Sequence, residues 1–311
     1  VLQILSITTP IFILIGLGFL SARGGLISRE QVRGMGAVVI NFALPALVLK
    51  AVSENPLGEV FNWQYLTAYG LGSLTVFCLG LLASRTLRRE PLDSSAIAAL
   101  GMANSNSGFV GYPIVAMTLG ATAAIGLALN MVVENLLIIP LALALAEAGR
   151  QEGSALSVAR ETLKRLARSP LIIAMAIGLP LALLELRLPA VPARVVEMLA
   201  TASAPLALFV IGGSLYGLRL SGMHGEIGMI AFGKLILHPL AVLLIFSLLP
   251  DVDPALMAAG VLFASAPMLS IYPILGQRFG VDGRCAAALL LTTVASFVTI
   301  STLLGFVAPS P

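Results

Sequence analysis

Charge is what this chain has least of: 18 Lys and Arg with 15 Asp and Glu, 11% of 311 residues. Soluble domains carry about 25%, so too little charge is present to cover a water-facing surface. Cysteine is almost absent. The two, Cys78 and Cys285, lie in apolar runs without CxxC spacing. They imply no disulfide framework and no metal site, and read as small core or lipid-facing residues. Three motifs are also missing: GxxxxGK[ST], HExxH and GxSxG. No cofactor is implied, no enzyme is expected, and ATP-driven transport by this chain alone is set aside. The formal charge of +3 could suit nucleic acid. In so apolar a chain, however, Lys and Arg orient loops at a bilayer, and no nucleic-acid partner is expected.

What remains is apolar. The AVILMFWYC set makes up 58% of the chain and mean hydropathy is +1.01. Ten apolar segments can be marked at about 2–20, 34–53, 63–84, 96–118, 122–146, 170–187, 195–217, 226–249, 255–276 and 285–307. Each can span a bilayer as a tilted helix. Helices are required because backbone groups in lipid must pair within their own segment. The first run has no basic flank before it and ends at Arg23, so it reads as a span rather than a cleaved leader. With the connections placed alternately on two sides, fourteen basic residues fall on one side. They include Arg23, Arg29, Arg33, Arg85, Arg88, Arg89, Arg150, Arg278 and Arg284. Three (Lys50, Arg187, Arg194) fall on the other. The positive-inside rule makes the basic side cytoplasmic and places both termini outside a cytoplasmic (inner) membrane. The longest connection, 150–169, turns amphipathic, with Leu156, Leu163 and Leu166 against Arg160, Lys164 and Arg168. It reads as a cytoplasmic surface helix.

An offset of 160 residues aligns the chain with itself. Pro10 meets Pro170, Gly18 meets Gly178, Pro45 meets Pro205, Ser105 meets Ser265 and Gly120 meets Gly280. Tyr112-Pro113-Ile114 meets Tyr272-Pro273-Ile274. Five spans per half is an odd number, so residues 170–311 form an inverted copy of residues 1–149. The expected fold is an all-α polytopic bundle of ten helices in a five-plus-five inverted repeat. Such repeats with interrupted helices mark secondary transporters.

The interruptions are visible. The fourth span carries Asn104, Ser105, Asn106 and Ser107, then Gly108, Gly111 and Pro113. The ninth carries Ser265, Pro267, Ser270 and Pro273. Proline removes a backbone donor and clashes with the preceding turn, and a break at mid-membrane is tolerated only where protein or a cavity satisfies it. Half-helix N-termini aimed at one point favour an anion. Asn104, Ser105, Asn106, Ser107, Ser265 and Ser270 are therefore candidate substrate-binding residues, and the glycines and prolines are the crossover. Glu134 lies well inside the fifth span. It is either a proton-coupling site or a carboxyl bonded to a neighbouring helix. Lys234 and His238 share a face of the eighth span, and Lys234 is expected to snorkel to the cytoplasmic surface. Pro45, beside Asn41, and Pro205 are expected to bend their helices.

Four segments carry a resemblance over nearly the whole chain: Asn41-Phe-Ala-Leu-Pro45, Asn104-Ser-Asn-Ser-Gly-Phe-Val-Gly-Tyr-Pro113, Val133-Glu-Asn-Leu-Leu-Ile-Ile-Pro140, and the paired Tyr-Pro-Ile. By these the chain resembles the auxin efflux carrier family in its bacterial, PIN-like form, similar in fold to the bile acid:sodium symporter group. The resemblance implies a scaffold of spans 1, 2, 6 and 7, often dimeric, and a mobile transport unit of spans 3–5 and 8–10. Spans 4 and 9 would cross at Pro113 and Pro273, with a small organic anion such as malate or malonate carried by elevator-like alternating access. The long central loop of plant members is missing here. So is a Glu or Gln before the ninth-span break, which argues against sodium coupling. The rival readings are a sodium-coupled symporter of this fold and a membrane receptor that binds its ligand without moving it.

Overall fold

A computed structural model describes residues 2–54, 62–150, 160, 164, 167–184, 186–217 and 224–307. Most of the 150–169 connector, with its expected amphipathic stretch, lies outside them. Among the described residues every regular element is a helix. In chain order they are α1 (Leu2–Arg23), α2 (Arg29–Ser53), α3 (Trp63–Thr86), α4 (Leu92–Ala103), α5 (Tyr112–Leu119) and α6 (Thr122–Gly149). Then follow α7 (Pro170–Leu183), α8 (Ala190–Leu215), α9 (Gly225–Leu248), α10 (Pro254–Ser265), α11 (Tyr272–Gln277) and α12 (Asp282–Val307). Six of them, α2, α3, α6, α8, α9 and α12, are continuous, long and apolar enough to cross a bilayer. The chain is an all-α polytopic membrane protein with several broken helices. The expected fourth and ninth spans are not single rods: each is split, into α4 and α5, and into α10 and α11.

Proline placement explains the irregularities. Four π turns, Val39–Ala43, Ser107–Gly111, Glu134–Ile138 and Gly233–Leu237, each end two residues before a proline: Pro45, Pro113, Pro140 and Pro239. A proline ring collides with the carbonyl four residues back and offers that carbonyl no donor. Widening the turn by one residue removes the collision. In two of these turns an asparagine amide donates to a carbonyl four residues back, Asn41 to Ala37 O at 2.8 Å and Asn135 to Met131 O at 2.9 Å. Asn41 is thus part of the accommodation of Pro45. Pro205 is carried inside α8 without a π turn.

Close helix approaches rest on glycine. A Cβ on Gly18 of α1 would lie 2.0 Å from Phe209 O of α8, and one on Gly212 of α8 would lie 1.8 Å from Ile15 O of α1. Gly178 of α7 packs in the same manner on α2, where its Cβ would meet Val52 at 3.0 Å and Leu49 O at 3.4 Å. Gly18 with Phe209 and Gly178 with Leu49 are the same pair at the 160-residue offset. Gly120 and Gly280, also paired at that offset, close α5 and α11 with φ of +61° and +73°, a conformation that L side chains rarely adopt.

Ion pairs gather the helix ends. Arg150 pairs with Asp93 at 3.2 Å and Arg278 with Glu147 at 2.8 Å. Buried Arg284 bonds Glu226 and lies 3.5 Å from Glu90. The ends of α3, α6 and α11 and the starts of α4, α9 and α12 thereby meet at one pole. Lys50 and Glu197, 3.8 Å apart, join α2 to α8. Every ion pair among the described residues falls either within α1, α2, α7 and α8 or within the remaining helices. Cys78 is exposed and Cys285 buried, as their apolar settings imply.

Candidate functional site

The two breaks touch. After α4 ends at Ala103, Asn104, Ser105 and Asn106 run without helix; after α10 ends at Ser265, residues 266–271 do the same. Asn106 N donates to Pro267 O at 2.7 Å, and Asn106 Nδ2 donates to Ser270 Oγ at 2.7 Å. Asn106 Oδ1 accepts from Phe109 N at 3.3 Å, so the same residue caps the helix that restarts at Ser107. That is the usual role of asparagine at an N-cap. Gly111 admits the Phe263 ring of α10, which would lie 2.6 Å from a Cβ. Tyr272, first residue of α11, donates its hydroxyl to Ile97 O at 3.0 Å. Pro273 falls at the second position of the restarting α11, where a missing N–H costs nothing, whereas Pro113 follows the Ser107–Gly111 π turn.

Beside the breaks lies a buried polar network. Glu134 of α6 is 3% exposed. Its Oε1 accepts from Ser107 Oγ at 2.6 Å and Tyr69 OH at 3.3 Å. Tyr69 OH also bonds Ser105 Oγ at 3.1 Å, and Ser105 Oγ in turn accepts from Lys234 Nζ at 2.7 Å. Lys234 Nζ further donates to Ala264 O at 2.8 Å and lies 2.6 Å from His238 Nδ1. His238 Nε2 meets Ser73 Oγ at 2.8 Å. Tyr65 OH donates to Asn130 Oδ1 at 2.9 Å. A carboxyl and an ammonium thus sit on either side of the first break, one serine and one tyrosine apart. Charges in a low-dielectric interior persist only when each is hydrogen-bonded, and this network supplies those bonds.

The expected residues divide. Asn106, Ser270, Pro267, Ser105, Ser107 and Glu134 come together. Ser265 lies in the last turn of α10 and bonds its own Leu262 O at 2.7 Å. Asn104 is buried and its Nδ2 has no hydrogen-bond partner among the described residues, leaving its two amide N–H donors free in the first break. Glu134 bonds neighbouring helices, the second of its two readings, without thereby losing the first. The snorkelling of Lys234 is overturned. It is fully buried because Ala264 O at a helix end and the Ser105 hydroxyl are acceptors that only an inward-pointing cation reaches. Tyr65, Tyr69, Ser73 and Asn130 were missed in the sequence. Their signal was present as polar residues at i, i+4 and i+8 on α3, with Asn130 four residues before Glu134 on α6.

Two other features bear on ligands. A cleft of about 170 Å³ lined by Arg29, Val32, Arg33, Gly213, Ser214, Tyr216 and Gly217 opens between α2 and the end of α8, and its two guanidinium groups could also attract an anion. Among the described residues no group of three or more His, Cys, Asp or Glu is placed to hold a metal ion.

Comparison with known proteins places this geometry. The family described as membrane transport protein matches residues 4–304. A putative malonate transporter of Rhizobium meliloti (strain 1021) is 33% identical over 305 residues, covering 97% of this chain and 95% of that protein. The uncharacterized transporter YfdV of Escherichia coli (strain K12) is 25% identical over 302 residues, 96% of each chain. Both matches run through α4, α5, α10 and α11. The chain therefore belongs to the membrane transport protein family and is a transporter rather than an enzyme.

Proposed function

We propose that the chain is a secondary active transporter of a small organic anion, a mono- or dicarboxylate of malonate size, working in the cytoplasmic (inner) membrane. The contact between the two helix breaks, with an unspent Asn104 amide in the first break, carries this reading. Asn104, Ser105, Asn106, Ser107, Ser265 and Ser270 surround the substrate, and Gly108, Gly111, Pro113, Pro267 and Pro273 keep the crossover unwound. The malonate named for the Rhizobium relative sets the substrate size.

In the same reading the chain crosses the membrane ten times, as two inverted halves, residues 1–149 and 170–311, with α4–α5 and α10–α11 each counted as one crossing. The matched glycine contacts at the 160-residue offset support it. So does the gathering of alternate connections at one pole, the cytoplasmic one, which leaves both termini outside. α1, α2, α7 and α8 form the scaffold, through whose apolar outer face two copies pair. The remaining helices move as an elevator. Among the described residues, ion pairs stay within each group and none crosses between them, which fits two bodies that slide.

Counterflow of labelled malonate in proteoliposomes tests the function. Wild type is expected to exchange it, and Asn106→Ala to lose exchange by more than about tenfold. The substitution also costs about 1–2 kcal/mol of stability, because a cap and a side-chain bond go together. Saturable binding without counterflow would support the receptor reading instead, and a malonate-dependent sodium flux the symporter. Glu134 is assigned to proton coupling: Glu134→Gln is expected to flatten the pH dependence of exchange, and an unchanged slope would remove that role.

A further inference from the structure

We propose that Lys234 is a built-in counter-cation, standing where a carrier of broken-helix design would otherwise bind a free monovalent cation. The inference rests on the crossover being the substrate site and adds how its charge is balanced.

The ammonium sits where the chain leaves helix in both broken spans. Ala264, which accepts from Nζ at 2.8 Å, belongs to the last turn of α10. Carbonyls there lack intrahelical donors and carry the negative end of the helix dipole. Ser105, at 2.7 Å, lies two residues beyond the end of α4. Unwound backbone carbonyls and half-helix C-terminal ends are the groups that coordinate a coupling cation in transporters with interrupted helices. Here the third contact is His238 Nδ1 at 2.6 Å. With Nδ1 accepting, the ring's single N–H is on Nε2, which donates to Ser73 Oγ at 2.8 Å. A compact ammonium with three donors fits such a set. The equivalent position in the first half is Leu74, so one side chain serves both breaks. With Glu134 holding the coupled proton, the single positive charge of Lys234 offsets one arriving carboxylate. The site then needs no sodium.

Thermal unfolding of purified protein at constant ionic strength in choline, sodium or methylammonium chloride tests this without any substrate. Wild type is expected to melt at the same temperature in all three. Lys234→Ala, which opens a space of cation size, is expected to melt lower in choline and to recover by about 5 °C in sodium or methylammonium. Lys234→Met, which fills the space, is expected to melt low in every salt. Stabilisation of wild type by sodium would overturn the proposal, as would a Lys234→Ala protein indifferent to all three. If Lys234→Ala does not fold, wild type decides: equal melting in the three salts supports the proposal and a sodium shift rejects it. Absence of malonate counterflow in wild type would count against the carrier reading alone and leave the salt series to decide on Lys234.

Discussion

Lys234→Met is expected to lower the melting temperature by about 10 °C, and adding Glu134→Gln to return a substantial part of that loss. The single change leaves Ala264 O, Ser105 Oγ and His238 Nδ1 without their donor in a fully buried place. It also leaves the Glu134 carboxyl without a nearby cation. Breaking one side of a buried charge pair costs about 3–5 kcal/mol, and about 2–4 °C accompanies each kcal/mol in a chain of 150–250 residues. Neutralising Glu134 removes the uncompensated charge while its amide can still meet Ser107 and Tyr69. Groups in one network show coupling of about 0.5–3 kcal/mol. A double-mutant cycle read by thermal unfolding checks it. Strictly additive losses would mean that the Ser105–Tyr69 bridge couples nothing.

Gly212→Ala is expected to cost about 3 kcal/mol, whereas Gly16→Ala should be neutral or stabilising by up to about 1 kcal/mol. A methyl on Gly212 would stand 1.8 Å from Ile15 O, a backbone atom that cannot swing aside, so α1 and α8 must separate. Overpacking of that kind costs about 1–3 kcal/mol even in soluble cores, and membrane helices depend on small residues for their close approach. A methyl on Gly16 meets nothing within 4 Å and gains the helix preference of alanine over glycine. Comparing the two variants in one unfolding assay separates the contact from the residue type. Equal melting temperatures would show that α1 and α8 do not approach at these glycines.

The breaks were legible because lipid punishes what the sequence places there. Four consecutive polar residues, Asn104 to Ser107, followed by Gly108, Gly111 and Pro113, cannot sit as an ordinary helix in hydrocarbon. The offset that aligned Tyr112-Pro113-Ile114 with Tyr272-Pro273-Ile274 also located the second break. Glu134 stood out as an acid amid apolar neighbours. Less legible was the direction in which long side chains run. Lys234 lies close enough to a helix end for either surface or interior. The deciding facts, a free carbonyl at Ala264 and a hydroxyl at Ser105, belong to segments 30 and 129 residues away in the chain. The π turns were hidden for a different reason. Proline announces a distortion, but a kink, a break and a widened turn share one sequence signature, and Pro205 sits inside α8 with no π turn. Tyr65, Tyr69 and Ser73 were overlooked because a tyrosine in an apolar run reads as packing unless the i, i+4, i+8 stripe is followed.

Hydrogen–deuterium exchange with and without saturating malonate tests most directly where the anion sits. Joint protection of residues 104–111 and 266–271 on adding malonate is the expected result. Protection confined to the Arg29 and Arg33 cleft, or at one break without the other, would contradict a substrate site made by the meeting of two broken helices.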